Sequence, residues 1–373
     1  MEILYIAPNN DLAELFFQGW KNAFEALGHS VTRLEPNMAI GWLEKHPVDM
    51  IFTHSGEGVL SLDPRLINQR QTKVVVGALP ANRWNVSFDP HTPLANPSEL
   101  KVLRLLDQLV LWSQHEPFLY PFFYQSYLDQ GIKVVYLPYA ADITLLQPLD
   151  FVENPAKDLI FIGNLAHRKR GNLRLLAHLL SQLDPRRVEI YGDDLWGEHF
   201  GIPARPFRID HTWPSKFAQA AIAPNLHTHR QKSRMIQVNN RTFDIPLYGG
   251  FQITDHPLAA KFFDPTEICI APSPREFLDQ FFEFLHRPDL RESQIKAAQL
   301  KLRKEHSYFN RLSSIFEAFE LSAQLHYGGL DYSPTRFNPG SERFIPNVHL
   351  AYWSMEDQAF GLLRKLKQRI PWV

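Results

Sequence analysis

The fold is decided by the stretch Asn240-Arg241-Thr242-Phe243-Asp244-Ile245-Pro246-Leu247-Tyr248-Gly249-Gly250-Phe251-Gln252-Ile253-Thr254-Asp255. Asp244 lies where a short helix is expected to begin, because acidic side chains favour the first helical turn. Gly249 and Gly250 can adopt the positive φ of a tight turn, and Phe251 to Ile253 has the alternation of a short strand. Helix, glycine turn and strand in this order predict a Rossmann-like crevice.

The same residues have the chemistry of a nucleotide-sugar site. A carboxylate beside such a turn can accept both hydroxyls of a ribose, and Arg241 can bind a diphosphate through two parallel hydrogen bonds. The alternative is structural, with Gly249 and Gly250 capping a helix before an ordinary strand. The stretch by itself does not choose between these interpretations.

Size and composition set the broad class. A chain of 373 residues exceeds one ordinary core, so two domains are expected. The net charge of -1 gives no overall attraction to nucleic acid, and no nucleic-acid partner is expected. The single cysteine, Cys269, cannot form an internal disulfide, which favours a reducing compartment. With neither a signal peptide nor a membrane-spanning run, we expect a cytoplasmic location.

Strand and helix patterns alternate along the chain in two series. The first begins at Ile3 and the second restarts at Asp158, after an irregular stretch rich in Pro and Asp. Such alternation predicts an α/β protein with two doubly wound, Rossmann-like domains facing a central cleft. The predicted boundaries are residues 1–140 for the N-terminal domain, 141–157 for the linker, 158–327 for the C-terminal domain and 328–373 for a C-terminal helical extension.

A strand end, a glycine turn and a basic cluster open the second series. Phe161-Ile162-Gly163-Asn164 ends a strand, and His167-Arg168-Lys169-Arg170-Gly171-Asn172 precedes a helix. Backbone amides at a helix start and neighbouring cations both bind phosphate, so this segment is expected to face a pyrophosphate. Without that strand ahead of it, a run of cations is typical of a solvated surface turn. The candidate residues are Gly163, Asn164, Arg168 and Arg170.

Two further strand ends carry candidate residues. A strand-like run ends at Gly192, where the missing side chain allows close approach to the backbone. A polar segment follows another apolar run, and its Arg230 can supplement Arg241 at the diphosphate. His227 and His229 flank one residue, which suggests a metal site, but no third ligand is evident and no metal is expected.

The segment Arg241 to Gly250 resembles the R-x-F-E-x-P-x-x-G-G motif of the CgeB-like glycosyltransferases, relatives of the group 1 glycosyltransferases with the two-domain GT-B fold. The resemblance extends over Asp158 to Phe319 and loosely over the N-terminal half, and it implies that Gly192 lies near the nucleotide base. It implies a nucleoside diphosphate sugar as donor substrate, no cofactor, retention of configuration, and a chain end that crosses back to the N-terminal domain. The acceptor, whether glycan, protein or small molecule, is left open.

Metal-independent chemistry is expected, because no Asp-x-Asp occurs in the chain. Arg241, Arg230 and the basic cluster would then stabilise the leaving nucleoside diphosphate. A base for the acceptor hydroxyl is expected from the N-terminal half, and His54 is the first candidate because it ends a strand at the cleft. His91, His115 and Glu57 are the alternatives.

Two departures from the family pattern motivate a different class of function. The family usually has Glu where this chain has Asp244, and Ile236 occupies a position that is often Glu in group 1 enzymes. The alternative is therefore a catalytically silent sugar-nucleotide-binding or scaffold protein on the same fold. A sugar-nucleotide epimerase is a third, weaker interpretation.

The final helical pattern carries the basic run Arg364-Lys365-Leu366-Lys367-Gln368-Arg369. A basic amphipathic helix can contact an anionic membrane surface, which gives one predicted partner. The simpler interpretation is the solvated face of a terminal helix.

Overall fold

Two parallel sheets flanked by helices form the framework of the part of the chain that the structure describes. The structure is a computed structural model and describes residues 1–8, 11–77, 96–115, 117, 124–146, 149–165, 172–206, 214–227, 237–322 and 324–335. Parallel strands covered on both faces have near-continuous apolar sequences. Val74, Val75 and Val76, for example, are all fully buried.

The first sheet is formed by the N-terminal part of the chain. Its strands are β1 (Glu2–Ile6), β2 (Ser30–Leu34), β3 (Met50–His54), β4 (Lys73–Gly77), β5 (Leu109–Ser113) and β6 (Lys133–Tyr136). They pair in the order β2-β1-β3-β4-β5-β6, and neighbouring strands are parallel. The helices are α1 (Asp11–Ala26), α2 (Pro36–Lys45), α3 (Glu57–Leu60), α4 (Pro64–Gln69), α5 (Pro97–Leu103) and α6 (Gln125–Leu128), and a 3-10 turn follows at Ile143–Leu145.

The second sheet repeats this architecture. Its strands are β7 (Lys157–Ile162), β8 (Val188–Tyr191), β9 (Ala220–Asn225), β10 (Gln252–Thr254) and β11 (Cys269–Ile270), in the order β11-β10-β9-β7-β8. Its helices are α7 (Leu173–Ser181), α8 (Leu195–Phe200), α9 (Arg241–Leu247), α10 (Pro274–Leu285) and α11 (Pro288–Glu305), with 3-10 turns at Pro185–Arg187, Pro214–Gln219 and Pro257–Lys261. Helix α12 (Tyr308–Ala318) and a hairpin of β12 (Leu325–Tyr327) and β13 (Leu330–Tyr332) follow.

Helix α12 returns the chain to the N-terminal sheet. The helix begins after a capping box at Ser307. The linker residue Ala141 pairs with the residues on either side of Ser307: its backbone N–H donates to the carbonyl of His306 at 2.8 Å, and its carbonyl accepts from the N–H of Tyr308 at 3.2 Å. The buried guanidinium of Arg311 donates to the carbonyl of Tyr139 at 2.8 Å. Apolar residues of α12 share one buried cluster with β1 and β3.

The predicted class, with two Rossmann-like sheets, is confirmed. The chain crosses back at Tyr308, ahead of the predicted boundary at residue 328, so the segment 158–327 includes a helix that packs on the other half. The predicted terminal helix, with its basic run, lies outside the described residues. Among the helices that are described, none is long and apolar enough to cross a membrane.

Candidate functional site

The carboxyl edge of the second sheet brings together several of the predicted residues. In parallel sheets all strands end at the same edge, and ligands bind there. Ile162 ends β7, Asn225 ends β9, and the first turn of α9 begins beside them at Arg241. This edge is therefore the candidate site in the C-terminal half.

Arg241 ties the two strand ends together. Its guanidinium donates to the carbonyl of Ile162 and, at 3.1 Å, to the carbonyl of Leu226. Its Cζ lies 5.8 Å from the ring centroid of Phe161, in a cation–π arrangement. The side chain thus fixes the backbone that flanks the site. The predicted role for Arg241 was to bind the diphosphate, and it did not include these backbone contacts.

Asp244 lies in the first turn of α9, as predicted, and is 8% exposed. The side-chain amide of Asn240 donates to its Oδ2 at 2.5 Å. Burial raises the pKa of the Asp244 carboxyl well above its usual range, the charge of Asp142 raises it further, and Arg241 opposes both. The charged form is therefore poorly solvated, and a ligand that donates hydrogen bonds to this carboxyl would stabilise it.

A second buried carboxyl, that of Asp142, belongs to the linker. Its oxygens accept from the hydroxyl of Thr144 at 2.6 Å and from the side-chain amide of Asn22 at 2.7 Å. Burial raises its pKa. Burial raises the pKa of the Tyr308 hydroxyl, and the charge of Asp244 raises it further. Because Tyr308 belongs to the helix that packs on the N-terminal half, Asp244 lies near the junction between the two halves.

Gly163 and Gly192 let the strand ends approach each other. The indole nitrogen of Trp196 donates to the carbonyl of Gly163 at 3.0 Å. A Cβ on Gly192 would lie 2.5 Å from that carbonyl oxygen, which is too close for any side chain. Asp193 accepts from the backbone nitrogen of Leu165 at 3.0 Å, which closes the turn. Gly192 is thus required by backbone packing, and Asn164 is exposed at the edge of the site.

The glycine pair lies elsewhere. The backbone nitrogens of Gly249 and Gly250 bond to the carbonyls of Pro246 at 3.1 Å and Ile245 at 2.9 Å, which caps the end of α9. A Cβ on Gly250 would lie 2.6 Å from the Cβ of Phe217, which precedes β9. The pair therefore lies at the amino edge of the sheet, and the structure does not bring it to Asp244's end of the site.

His227 is held by two neighbours. The backbone N–H of Asn239 donates to its Nε2 at 3.0 Å, so Nδ1 carries the proton and donates to Asp255 Oδ1, also at 3.0 Å. His227 and Asp255 are buried. Both ring nitrogens are thus occupied, and the described residues contain no group of His, Cys, Asp and Glu suited to a metal ion.

His54 ends β3 at the carboxyl edge of the first sheet. Its Nε2 lies 2.6 Å from the hydroxyl of Tyr5. Burial lowers the pKa of His54 to about 4, so the ring is neutral at pH 7. Its Nδ1 is buried and has no hydrogen-bond partner among the described residues. In the tautomer whose Nε2–H donates to the Tyr5 oxygen, Nδ1 carries the lone pair and can accept a proton.

The alternatives to His54 differ in their surroundings. His115 is buried, with Nδ1 at 2.7 Å from the hydroxyl of Tyr124, and burial lowers its pKa to about 4. Glu57 is exposed in α3. The remaining predicted residues, which are His91, Arg168, Arg170 and Arg230, lie outside the described residues.

Asp142 and Trp112 are not among the residues predicted from the sequence. Asp142 caps a short turn two residues before Thr144, and this spacing is a recognisable local signal. Trp112 lies in a buried strand, and its indole N–H has no partner among the described residues. The sequence pattern predicts the burial of Trp112 but cannot show that its N–H lacks a partner.

Comparison with known proteins gives one family match and several structures of similar fold. Residues 168–317 match a family described as "Glycosyl transferase-like". A DNA modifying enzyme, beta-glucosyltransferase, studied with and without uridine diphosphoglucose, is 13% identical, with 86% of this chain and 100% of that chain covered and a TM-score of 0.53. The T4 phage BGT in complex with UDP-glucose is 12% identical, with 81% and 94% covered and a TM-score of 0.50.

TarM is 11% identical, with 76% of this chain and 58% of that chain covered and a TM-score of 0.50. No curated protein sequence matches this chain. At these identities the structural likenesses establish the fold. The chain has the GT-B fold, and its second half contains a glycosyl transferase-like segment.

Proposed function

We propose that the protein is a glycosyltransferase that moves a sugar from a nucleoside diphosphate sugar to an acceptor hydroxyl, without a metal and with retention. One observation carries the proposal. The segment that matches the glycosyl transferase-like family contains Asp244, and the fold places this carboxyl in the first turn of a helix that starts at the carboxyl edge of its sheet.

Asp244 is assigned to the ribose of the donor. Its carboxyl is buried beside a second carboxyl, so two ribose hydroxyls that donate to it would replace solvation lost on folding. Arg241 holds the ends of β7 and β9 in place for the diphosphate. The backbone of the Gly163 turn, with Arg168, Arg170 and Arg230, is assigned to the diphosphate itself.

His54 is assigned to the acceptor. A neutral imidazole at the carboxyl edge of the first sheet can orient the attacking hydroxyl and take its proton. A retaining mechanism also allows an oxygen of the donor phosphate to take that proton. Metal independence is proposed for two reasons: the segment assigned to the diphosphate is rich in Arg and Lys, and the chain contains no Asp-x-Asp motif.

The test is incubation of the full chain with a panel of UDP-, GDP- and ADP-sugars, with and without sugar acceptors, followed by mass spectrometry. Release of nucleoside diphosphate that persists in excess EDTA is expected. The Asp244→Asn variant is the matched control and should release far less.

Three outcomes contradict the proposal in different ways. Binding of a nucleotide sugar without any release would favour the silent sugar-nucleotide-binding alternative. Conversion of the donor into an isomer would favour an epimerase. Loss of release in EDTA, restored by manganese, would refute metal independence.

A further inference from the structure

His54, Gly77 and Trp112 lie side by side at the ends of three neighbouring strands. The strand register pairs His54 with Gly77 and Gly77 with Trp112. Side chains at paired positions of neighbouring strands point to the same face of a sheet. A Cβ on Gly77 would lie 2.7 Å from His54 Nδ1 and 2.9 Å from Trp112 Cε2, the atom bonded to Nε1. The two rings therefore converge over the glycine.

His54, Trp112 and, just beyond the end of β5, Gln114 each have a buried polar atom. His54 Nδ1, Trp112 Nε1 and Gln114 Oε1 have no hydrogen-bond partner among the residues that the structure describes. Gln114 follows β5 directly, one residue after Ser113. Buried polar groups are nearly always paired, and an unpaired one destabilises the fold. Three such atoms at one sheet edge indicate a place where an outside group is bound.

The types of these atoms define the group that fits. The indole N–H of Trp112 can only donate, and the amide oxygen of Gln114 can only accept. A hydroxyl both accepts and donates, so it satisfies the two together. A phosphate would place a charged oxygen near the Gln114 oxygen, and an ammonium would place N–H groups against the Trp112 N–H. His54 is neutral, so it offers an anion no charge.

We propose that His54, Trp112 and Gln114 form an acceptor subsite that binds neighbouring hydroxyls of a neutral sugar. The inference rests on the proposed glycosyl transfer and adds the class of acceptor. One hydroxyl accepts from the Trp112 N–H and donates to His54 Nδ1, while the next donates to Gln114. The hydroxyl that meets His54 is the one that attacks the donor.

The test uses the full chain saturated with UDP, with its tryptophan indoles labelled with ¹⁵N. Eight indole signals are expected, and Trp112→Phe identifies the signal of Trp112 by removing it. Glucose, galactose, mannose and N-acetylglucosamine are titrated alongside their 6-phosphates. We expect at least one neutral sugar to shift the Trp112 N–H signal, and its phosphate to bind at least tenfold more weakly.

Sugar binding to the variants is measured from the NMR signals of the sugar, because Trp112→Phe lacks the indole signal. Gln114→Leu and Trp112→Phe should each weaken binding about tenfold, which corresponds to about 1.4 kcal/mol. Trp20→Phe is the matched control, because Trp20 is an equally buried indole whose ring centroid is 5.9 Å from that of Trp112. It should retain sugar binding.

The inference is overturned if no neutral sugar moves the Trp112 signal, if the phosphates bind more tightly, or if both variants bind as the wild type does. Its failure is separable from that of the proposed function. Donor cleavage without a Trp112 response would refute the subsite alone. A Trp112 response without cleavage of any nucleotide sugar would refute the transferase and leave a sugar-binding site.

Discussion

Replacing Asp244 by Asn separates a ligand-binding role from a structural role. The amide has the shape of the carboxyl, but it keeps one acceptor oxygen and turns the other into a donor. Asn240 already donates to one carboxyl oxygen, Oδ2, at 2.5 Å. The variant can still accept that bond, and it then presents N–H groups where a ribose hydroxyl needs an acceptor.

The expected loss of affinity follows from one hydrogen bond to a charged group. Such a bond contributes about 1.5 to 3 kcal/mol, so the Kd for UDP should rise about 10- to 150-fold. The stability of the folded state should not fall together with the affinity. Burial and Asp142 raise the pKa of Asp244, so ionisation of this carboxyl destabilises the folded state as pH rises through the raised pKa. The neutral amide removes that cost, and the Tm at pH 7 should be unchanged or higher.

Calorimetric titration with UDP and thermal unfolding provide the two readouts. Asp142→Asn is the matched control, a neighbouring buried carboxyl bonded to Asn22 and Thr144. It should leave UDP affinity nearly intact. Wild-type affinity in Asp244→Asn, or a Tm that falls together with affinity, would refute the ribose assignment.

Three other predictions concern single residues. His54→Ala should lower turnover by about two to four orders of magnitude without changing UDP affinity; near wild-type turnover would move the role to another group. Because the folded pKa of His54 is about 4 against 6.5 for a free histidine, stability should fall as pH drops from 6.5 to 4. His54→Gln should reduce that fall in the free energy of unfolding by at most about 3 kcal/mol, and an unchanged urea-denaturation pH profile would contradict this. A Cβ on Gly19 would lie 2.1 Å from Tyr308 Cε2, so Gly19→Ala should destabilise by about 1 to 3 kcal/mol, whereas Gly41→Ala, with open space around it, should not. Equal stabilities of the two glycine variants in urea would exclude this packing of α1 on α12.

Local patterns were sufficient for the architecture. The apolar run of β4 and the start of α9, with Asp244 in its first turn, depend on residues close together in sequence. The same holds for His54, whose place at the end of β3 follows from a run of buried residues and the turn after it.

The contacts between residues far apart in the chain could not be predicted from local patterns. Arg241 bonds to Ile162, which is far away in the chain, and a carbonyl partner leaves no mark on the sequence pattern. Gly249 and Gly250 were assigned to the crevice from their composition. A turn from a helix into the next parallel strand lies at the amino edge of the sheet, so the topology places them away from the site.

Long-range packing accounts for the remaining differences. Helix α12 lies on the N-terminal sheet because Tyr308 fits over Gly19 and Arg311 bonds to the linker backbone. None of these contacts joins neighbours in sequence. The resemblance to GT-B enzymes implied that the chain end returns to the first half, and the sequence pattern did not identify α12 as a helix that packs there.

A crystal structure of the complex with UDP tests the central claim most directly. Both ribose hydroxyls are expected at about 3 Å from the carboxyl of Asp244, with the diphosphate at the ends of β7 and β9. The claim would be contradicted by UDP bound elsewhere, for example in the surface cavity of about 650 Å³ lined by His178, Gln182, Arg275 and Phe282, with Asp244 still bonded to Asn240 alone.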